Sequence, residues 1–255
     1  MASYSDLRQR TVFISGGGSG IGAAFVRAFA GQGCKVAFID IADEPSKALA
    51  ASLAPAAVRY ERCDVRDIAA LKRAIASAAA ALGPITILVN NAARDDRHAL
   101  ADLTVEYWDE NQAVNLRHQV FASQAVAPMM ETAGGGAILN LGSVSWMRGR
   151  PAMVSYTTAK AAIGGMTRVL ARELGPKKIR VNAIVPGAIV TERQTRLWTT
   201  PDAEREFLEQ QCLKFRLSED DVARTALFLA SEEARGITGQ SLVVDAGLAQ
   251  TSVAF

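Results

Sequence analysis

The chain reads as an α/β protein, one doubly wound parallel sheet of about seven strands with helices on both faces. Three observations predict this. Short runs rich in Val and Ile alternate with longer stretches of helical periodicity, the pattern of strand–helix–strand units. Gly and Pro punctuate the strand edges, as at Gly83-Pro84 and Gly134-Gly135-Gly136. A glycine cluster follows the first apolar run directly. The 255 residues suit a single domain, 1–255, long enough to bury a sizeable core.

Each element has its own reason. Thr11–Ser15 carries the β-branched and aromatic residues that fit a pleated sheet, and the helix Ile21–Gln32 follows the glycines. Lys35–Asp40 and Val58–Cys63 are strands on the same grounds, followed by an Ala-rich helix at Ile68–Leu82. Ile85–Asn90 is the fourth strand, and the periodicity from Val105 to Met130 predicts one long helix. Strands at Gly136–Gly142 and Ile179–Val185 enclose a helix at Val154–Leu174. A helix at Glu219–Ala230 and a strand at Ser241–Asp245 close the pattern. The polar segment from Thr191 to Phe215 breaks the rhythm; residues 191–215 read as a substrate flap, with an ordinary surface helix as the alternative.

Composition narrows the function. With 49% hydrophobic and 21% charged residues, the chain is an ordinary globular protein. A net charge of +2, without blocks of like charge, gives no basis for a nucleic-acid or membrane partner. Cys34, Cys63 and Cys212 are scattered, and His98 and His118 are the only histidines, so no metal site is expected. Met1–Arg10 lacks the apolar core of a signal peptide. The apolar stretch Ala74–Leu82 is far short of the ~20 residues that cross a bilayer. A reducing, cytoplasmic location is the expectation.

The turn Ser15-Gly16-Gly17-Gly18-Ser19-Gly20-Ile21-Gly22 lies between strand and helix, where a Rossmann-type fold holds a pyrophosphate. Glycines let the backbone come close, and the helix start offers free N–H groups and the positive end of its dipole. Asp40 closes the second strand 18 residues beyond Gly22. A carboxylate there accepts from an adenosine ribose and repels a 2′-phosphate, and neither Ser19 nor Ile41 is basic. NAD is therefore expected over NADP; the alternative is that Asp40 only caps a turn.

Tyr156 and Lys160 are four residues apart on a helix and share one face. An ammonium beside a phenol lowers the phenol's pKa, which prepares Tyr156 to take a proton from a hydroxyl. Ser143 ends the fifth strand, at the sheet edge where ligands bind, and can steady the substrate oxygen. Ser145 is its rival.

These motifs together resemble the short-chain dehydrogenase/reductase family over nearly the whole chain. Gly16–Gly22, Asp64, Asn90-Asn91-Ala92, Asn115, Ser143, Tyr156, Lys160, Pro186-Gly187 and Thr191 match in order and spacing. The resemblance implies Tyr156 as the acid/base, Ser143 as the oxygen stabiliser and Lys160 as nicotinamide-ribose ligand and tuner of Tyr156. It implies that Asn115 holds a water of the proton relay, or is simply a buried, satisfied amide. Asp64 and Val65 would flank the adenine, Ile189 and Thr191 would meet the carboxamide, and Asn91 would support cofactor or fold. The cofactor set it implies is Gly16, Ser19, Gly20, Ile21, Asp40, Ile41, Asp64, Val65, Asn91, Ala92, Tyr156, Lys160, Pro186, Gly187, Ile189 and Thr191. Two departures stand out: Ser15 where Thr is frequent, and Ala93 where the family has Gly, which adds a methyl along the cofactor's path.

The stretches Arg94–His98, Tyr107–Glu110, Val114–His118, Gln124–Pro128 and Gln211–Lys214, with Arg193-Gln194, are similar to the pentose 1-dehydrogenase branch of that family, bacterial D-xylose dehydrogenases in particular. That implies oxidation of the anomeric hydroxyl of an aldose, a sugar as the small-molecule partner, and a homotetramer. Ser145, Trp146, Arg148, Asp95 and Arg193 are the expected sugar contacts, Trp146 by stacking on the ring. Alternatives are a dehydrogenase for a secondary alcohol or ketone with the same machinery, or a dinucleotide-binding sensor without turnover.

Overall fold

The computed structural model describes residues 2–191 and 200–250. Strands β1 (Thr11–Ser15), β2 (Lys35–Asp40), β3 (Val58–Arg62), β4 (Ile85–Asn90), β5 (Gly136–Leu141), β6 (Ile179–Pro186) and β9 (Ser241–Val244) form one parallel sheet in the order β3-β2-β1-β4-β5-β6-β9. The order reverses beside β1, so β1 and β4 part at the sheet's carboxyl edge and leave a crevice there. A second, two-stranded pairing joins β7 (Ile189–Val190) to β8 (Leu217–Ser218).

Strand alternation sends side chains into two cores. Val12, Ile14, Phe38 and Val89 face α1 (Gly20–Gly31) and the helix Glu219–Ala230. Phe13, Ile39 and Leu88 face α3 (Ile68–Leu82), α5 (His118–Thr132) and α6 (Val154–Leu174). Helix starts are set locally. Asp67 accepts from the Ala70 N–H at 2.9 Å, and Thr104 caps α4 (Val105–Gln112) through the Tyr107 N–H at 3.2 Å. Ser218 and Asp221 close a capping box on Glu219–Ala230.

Three features differ from the sequence reading. Helix α2 (Asp43–Ser52) was not expected, because only Ser46 and Leu49 of it are buried and it shows no apolar stripe. The single helix expected over Val105–Met130 is interrupted by a π turn at Ala113–Arg117. There the Asn115 amide donates to the Asn111 carbonyl at 3.0 Å, the acceptor an α-helix reserves for the backbone N–H of residue 115. The flap region contains α7 (Pro201–Gln210); the helix Glu219–Ala230 is thus α8.

At the crevice the backbone approaches are close. Gly16 has φ +69°, and a Cβ there would lie 2.7 Å from the Ala92 Cα. A Cβ on Gly22 would lie 1.8 Å from the Gly16 carbonyl oxygen, so α1 meets β1 only without a side chain. Ser15 ties the turn to β4: its hydroxyl oxygen accepts the Asn91 and Ala92 N–H groups at 3.1 and 3.2 Å. Its proton then goes to the Nε2 of His118, 3.3 Å away. Burial, with the Lys160 charge adding to it, pushes His118 down to about 3.

Two outcomes follow. Gly22→Ala is expected to cost about 3 kcal/mol in urea unfolding, because backbone rather than a flexible side chain must move; a cost below about 1 kcal/mol would show that the helix start relaxes freely. His118 is neutral when folded and binds a proton readily when unfolded, so its contribution is present above pH 6.5 and is lost as pH falls toward 3. Between pH 7 and 5 the native chain should lose about 2 kcal/mol more than a His118→Gln variant. Equal losses would remove His118 as the cause.

Candidate active site

The carboxyl ends of β4, β5 and β6 open into a cleft of about 550 Å³. Ser143 follows β5, its Oγ accepts the Ser145 N–H at 3.2 Å, and its hydroxyl is near enough to the Tyr156 phenol to favour ionisation there. Tyr156 stands in the first turn of α6, and Lys160 follows one turn on with its Nζ 5.6 Å from the Tyr156 ring centre. Helix periodicity thus brings the expected catalytic pair together on one face of the cleft.

Their electrostatics depart from the sequence expectation. The Lys160 Nζ donates to the Leu141 carbonyl at 2.7 Å, at the end of β5. Burial pushes Lys160 down to about 7 and Tyr156 up to about 12, and the Asp95 charge raises both. The protein's own groups therefore do not hold the phenol as an anion at neutral pH. Desolvation, which a sequence does not reveal, outweighs Ser143 and the Arg150 charge, which act in the opposite direction.

The nucleotide side fits a dinucleotide. Ser19 precedes α1 without capping it, so the N–H groups at Gly20, Ile21 and Gly22 remain for an anion. Ile21 lines the cleft, and a Cβ on Gly20 would lie 3.7 Å from the Thr191 Cγ2, so the start of α1 stands close to the residue that follows β7. Asn91 lines the cleft and donates to the Ser15 and Gly16 carbonyls at 3.2 and 2.7 Å, serving the fold as well. Ala92 packs under Gly16, and Ala93 lines the cleft, where its methyl was expected. Asp40 accepts the Gly18 and Ala42 N–H groups at 2.8 and 2.9 Å. Ile41 is exposed and Val65 buried, neither among the residues that line the cleft, while the Asp64 carboxylate is held by Arg66, which keeps it below the usual carboxylate range. Pro186, Gly187, Ile189 and Thr191 line the far wall.

Asn115 does not line the cleft. Its amide oxygen accepts the Arg94 N–H at 2.9 Å and its amide nitrogen donates to the Arg94 carbonyl at 3.0 Å, pinning the loop after β4. Of the expected sugar contacts, Asp95, Ser145 and Arg148 line the cleft, and the buried Ser145 hydroxyl has no hydrogen-bond partner. Trp146 is a correction: a turn in which the Met147 and Arg148 N–H groups return to the Val144 carbonyl leaves its ring exposed and outside the lining. Arg193 lies outside the described residues. The sequence reading missed Arg97, Arg150, Phe207, Gln210 and Arg216, which line the outer part of the cleft. Only the run Arg148-Gly149-Arg150 beside Ser145 could have suggested one of them.

No helix of the described residues is long and apolar enough to cross a membrane. A family model described as enoyl-(acyl carrier protein) reductase, of the short-chain dehydrogenase type, matches residues 16–249. D-xylose 1-dehydrogenase of Caulobacter vibrioides is 51% identical over 248 residues, 96% of this chain and 98% of the relative. A Rhizobium meliloti protein named as a probable galactose dehydrogenase is 50% identical over 250 residues, 97% of this chain and 98% of its own. A blue fluorescent protein from a metagenomic library, solved in complex with NADPH, superposes with a TM-score of 0.87 at 33% identity, covering 95% of this chain and 99% of that one. The cofactor is a nicotinamide dinucleotide. The chain belongs to the short-chain dehydrogenase/reductase family of oxidoreductases.

Proposed function

We propose that the protein oxidises the anomeric hydroxyl of an aldose, a pentose such as D-xylose or a related sugar, to the aldonolactone with NAD. The observation that carries this reading is the Ser143–Tyr156–Lys160 cluster at the sheet edge, next to the uncapped start of α1. The two relatives about half identical in sequence, named for xylose and galactose, support a sugar.

The nicotinamide ring, when bound, accepts the hydride and brings the positive charge of its oxidised form into the site. Tyr156 takes the hydroxyl proton while the C1–H bond breaks with its electron pair, so that the C1–O bond becomes a carbonyl. Ser143, which lines the cleft with Tyr156, steadies the oxygen as charge develops. Lys160 is anchored by Leu141 and keeps further N–H donors for the nicotinamide ribose. Asn115 holds the loop after β4 in place beside the site, and the buried, unpartnered Ser145 hydroxyl and Asp95 meet sugar hydroxyls. The acidic Asp40, with no basic residue at Ser19 or Ile41, favours NAD. Segment 191–215 serves as the substrate flap: the Arg148 guanidinium bonds the Gln210 amide, and Phe207 packs on Val144, Val185, Ala188 and Leu248. Three free thiols support a reducing cytoplasm. Exposed Val120 on α5 and Val154 and Val169 on α6 support burial of these helices between copies in a homotetramer.

A panel of aldoses, ketones and secondary alcohols with both cofactors, read as NADH or NADPH absorbance, tests the reaction. Aldoses should be preferred and NAD favoured over NADP by roughly tenfold or more. Because burial raises the Tyr156 phenol above its ordinary value, the form that takes the proton grows with pH, and oxidation should rise from pH 7 to 9. Tyr156→Phe should lose roughly a thousandfold or more with NAD binding intact; unchanged sugar oxidation in that variant defeats the mechanism. Light scattering should give four times the chain mass, and a monomer would refute the assembly.

A further inference from the structure

The outer part of the cleft carries more positive charge than a neutral sugar requires. Four guanidiniums line it, from Arg97 in the loop after β4, Arg148 and Arg150 in the loop after β5, and Arg216 just before β8. Among the described lining residues only Asp95 and Glu206 oppose them. Two acids against four guanidiniums leave the described lining net positive. Asp95 lies toward the reacting end, where its charge reaches Tyr156, Lys160 and Arg150. Glu206 accepts from the Gln210 amide at 2.9 Å, and the same Gln210 side chain accepts from Arg148, so the Arg148 contact is to a neutral group.

The guanidiniums are also held in place. Arg150 and Arg216 flank the Phe207 ring, their carbons 5.8 and 5.5 Å from its centre. Arg216 pairs with Glu204 at 3.6 Å, yet its buried Nε has no hydrogen-bond partner. Arg97 and Arg148 are close enough that their charges, after burial, press on Arg150. Like charges from three separate chain segments are gathered at one mouth. A guanidinium fork matches the paired oxygens of a carboxylate or phosphate, which would relieve that crowding.

Building on the aldose reading, we propose that the preferred substrate carries an anionic group, a carboxylate or a phosphate, at the end remote from its anomeric carbon, received by Arg148 and Arg150 with Arg97 and Arg216 beside them. The reacting carbon sits at Tyr156 and the charged end at the mouth. Because Arg97, Arg148 and Arg150 are partly open to solvent, the preference is screened by salt.

D-galactose, D-galacturonate and D-galactose 6-phosphate differ only at C6 and separate neutral, carboxylate and phosphate ends. Each is titrated calorimetrically into the protein holding NAD, and kcat/KM is measured for each. At least one anionic sugar should bind roughly tenfold or more tightly than galactose, with the ratio shrinking as salt rises. Arg150→Leu should reduce that ratio about tenfold, while Arg150→Lys keeps part of it. Galactose binding as tightly as both anions, or a ratio untouched by Arg150→Leu, overturns the proposal. The two readings fail separately. Galactose turned over without any anion preference sinks this proposal alone. Tight anionic binding that Arg150→Leu weakens, with no aldose reducing NAD, supports it and sinks the aldose reaction. If no aldose binds, both fall.

Discussion

The burial of one lysine organises this molecule. Lys160 is only 2% exposed, and an amine at that depth must find oxygen atoms or lose its proton. It finds the Leu141 carbonyl at the end of β5, which fixes the pitch at which α6 leaves the sheet and sets Tyr156 over the cleft. The same desolvation that makes the amine a weak base makes the phenol a weak acid. The pair is poised to exchange charge only when further charge arrives.

Around that amine, buried amides and hydroxyls are linked to one another. The Asn90 amide donates to Asn140 at 2.9 Å, and Asn140 donates to Thr167 at 3.1 Å, a line of amides running beneath the site from β4 through β5 to α6. The Ser15 hydroxyl closes the opposite flank through two N–H groups and His118. Such a network holds strand ends at fixed spacing, which hydride transfer between two bound molecules requires.

Much of this was legible in the residues. Seven parallel strands, the glycine turn and the Ser143, Tyr156 and Lys160 cluster follow from period, punctuation and spacing, because each is a local property of a few consecutive residues. What was not legible depends on distant surroundings. Helix α2 buries two side chains and shows no stripe. Trp146 was placed in the site by its neighbours in sequence, yet a turn sends it outward while Ser145, one residue earlier, is buried. The phenol's acidity was judged from its neighbour on the helix, whereas the depth of the cleft decides it. The arginines at the mouth come from three loops, and no single window of sequence holds them together.

The π turn at Ala113–Arg117 has one more effect. By spending its side chain on both backbone groups of Arg94, Asn115 rivets the root of the β4 loop to the scaffold. The anchor and the cleft-lining side chains are thereby different residues, so a change at Asp95 or Arg97 leaves the root of the loop pinned.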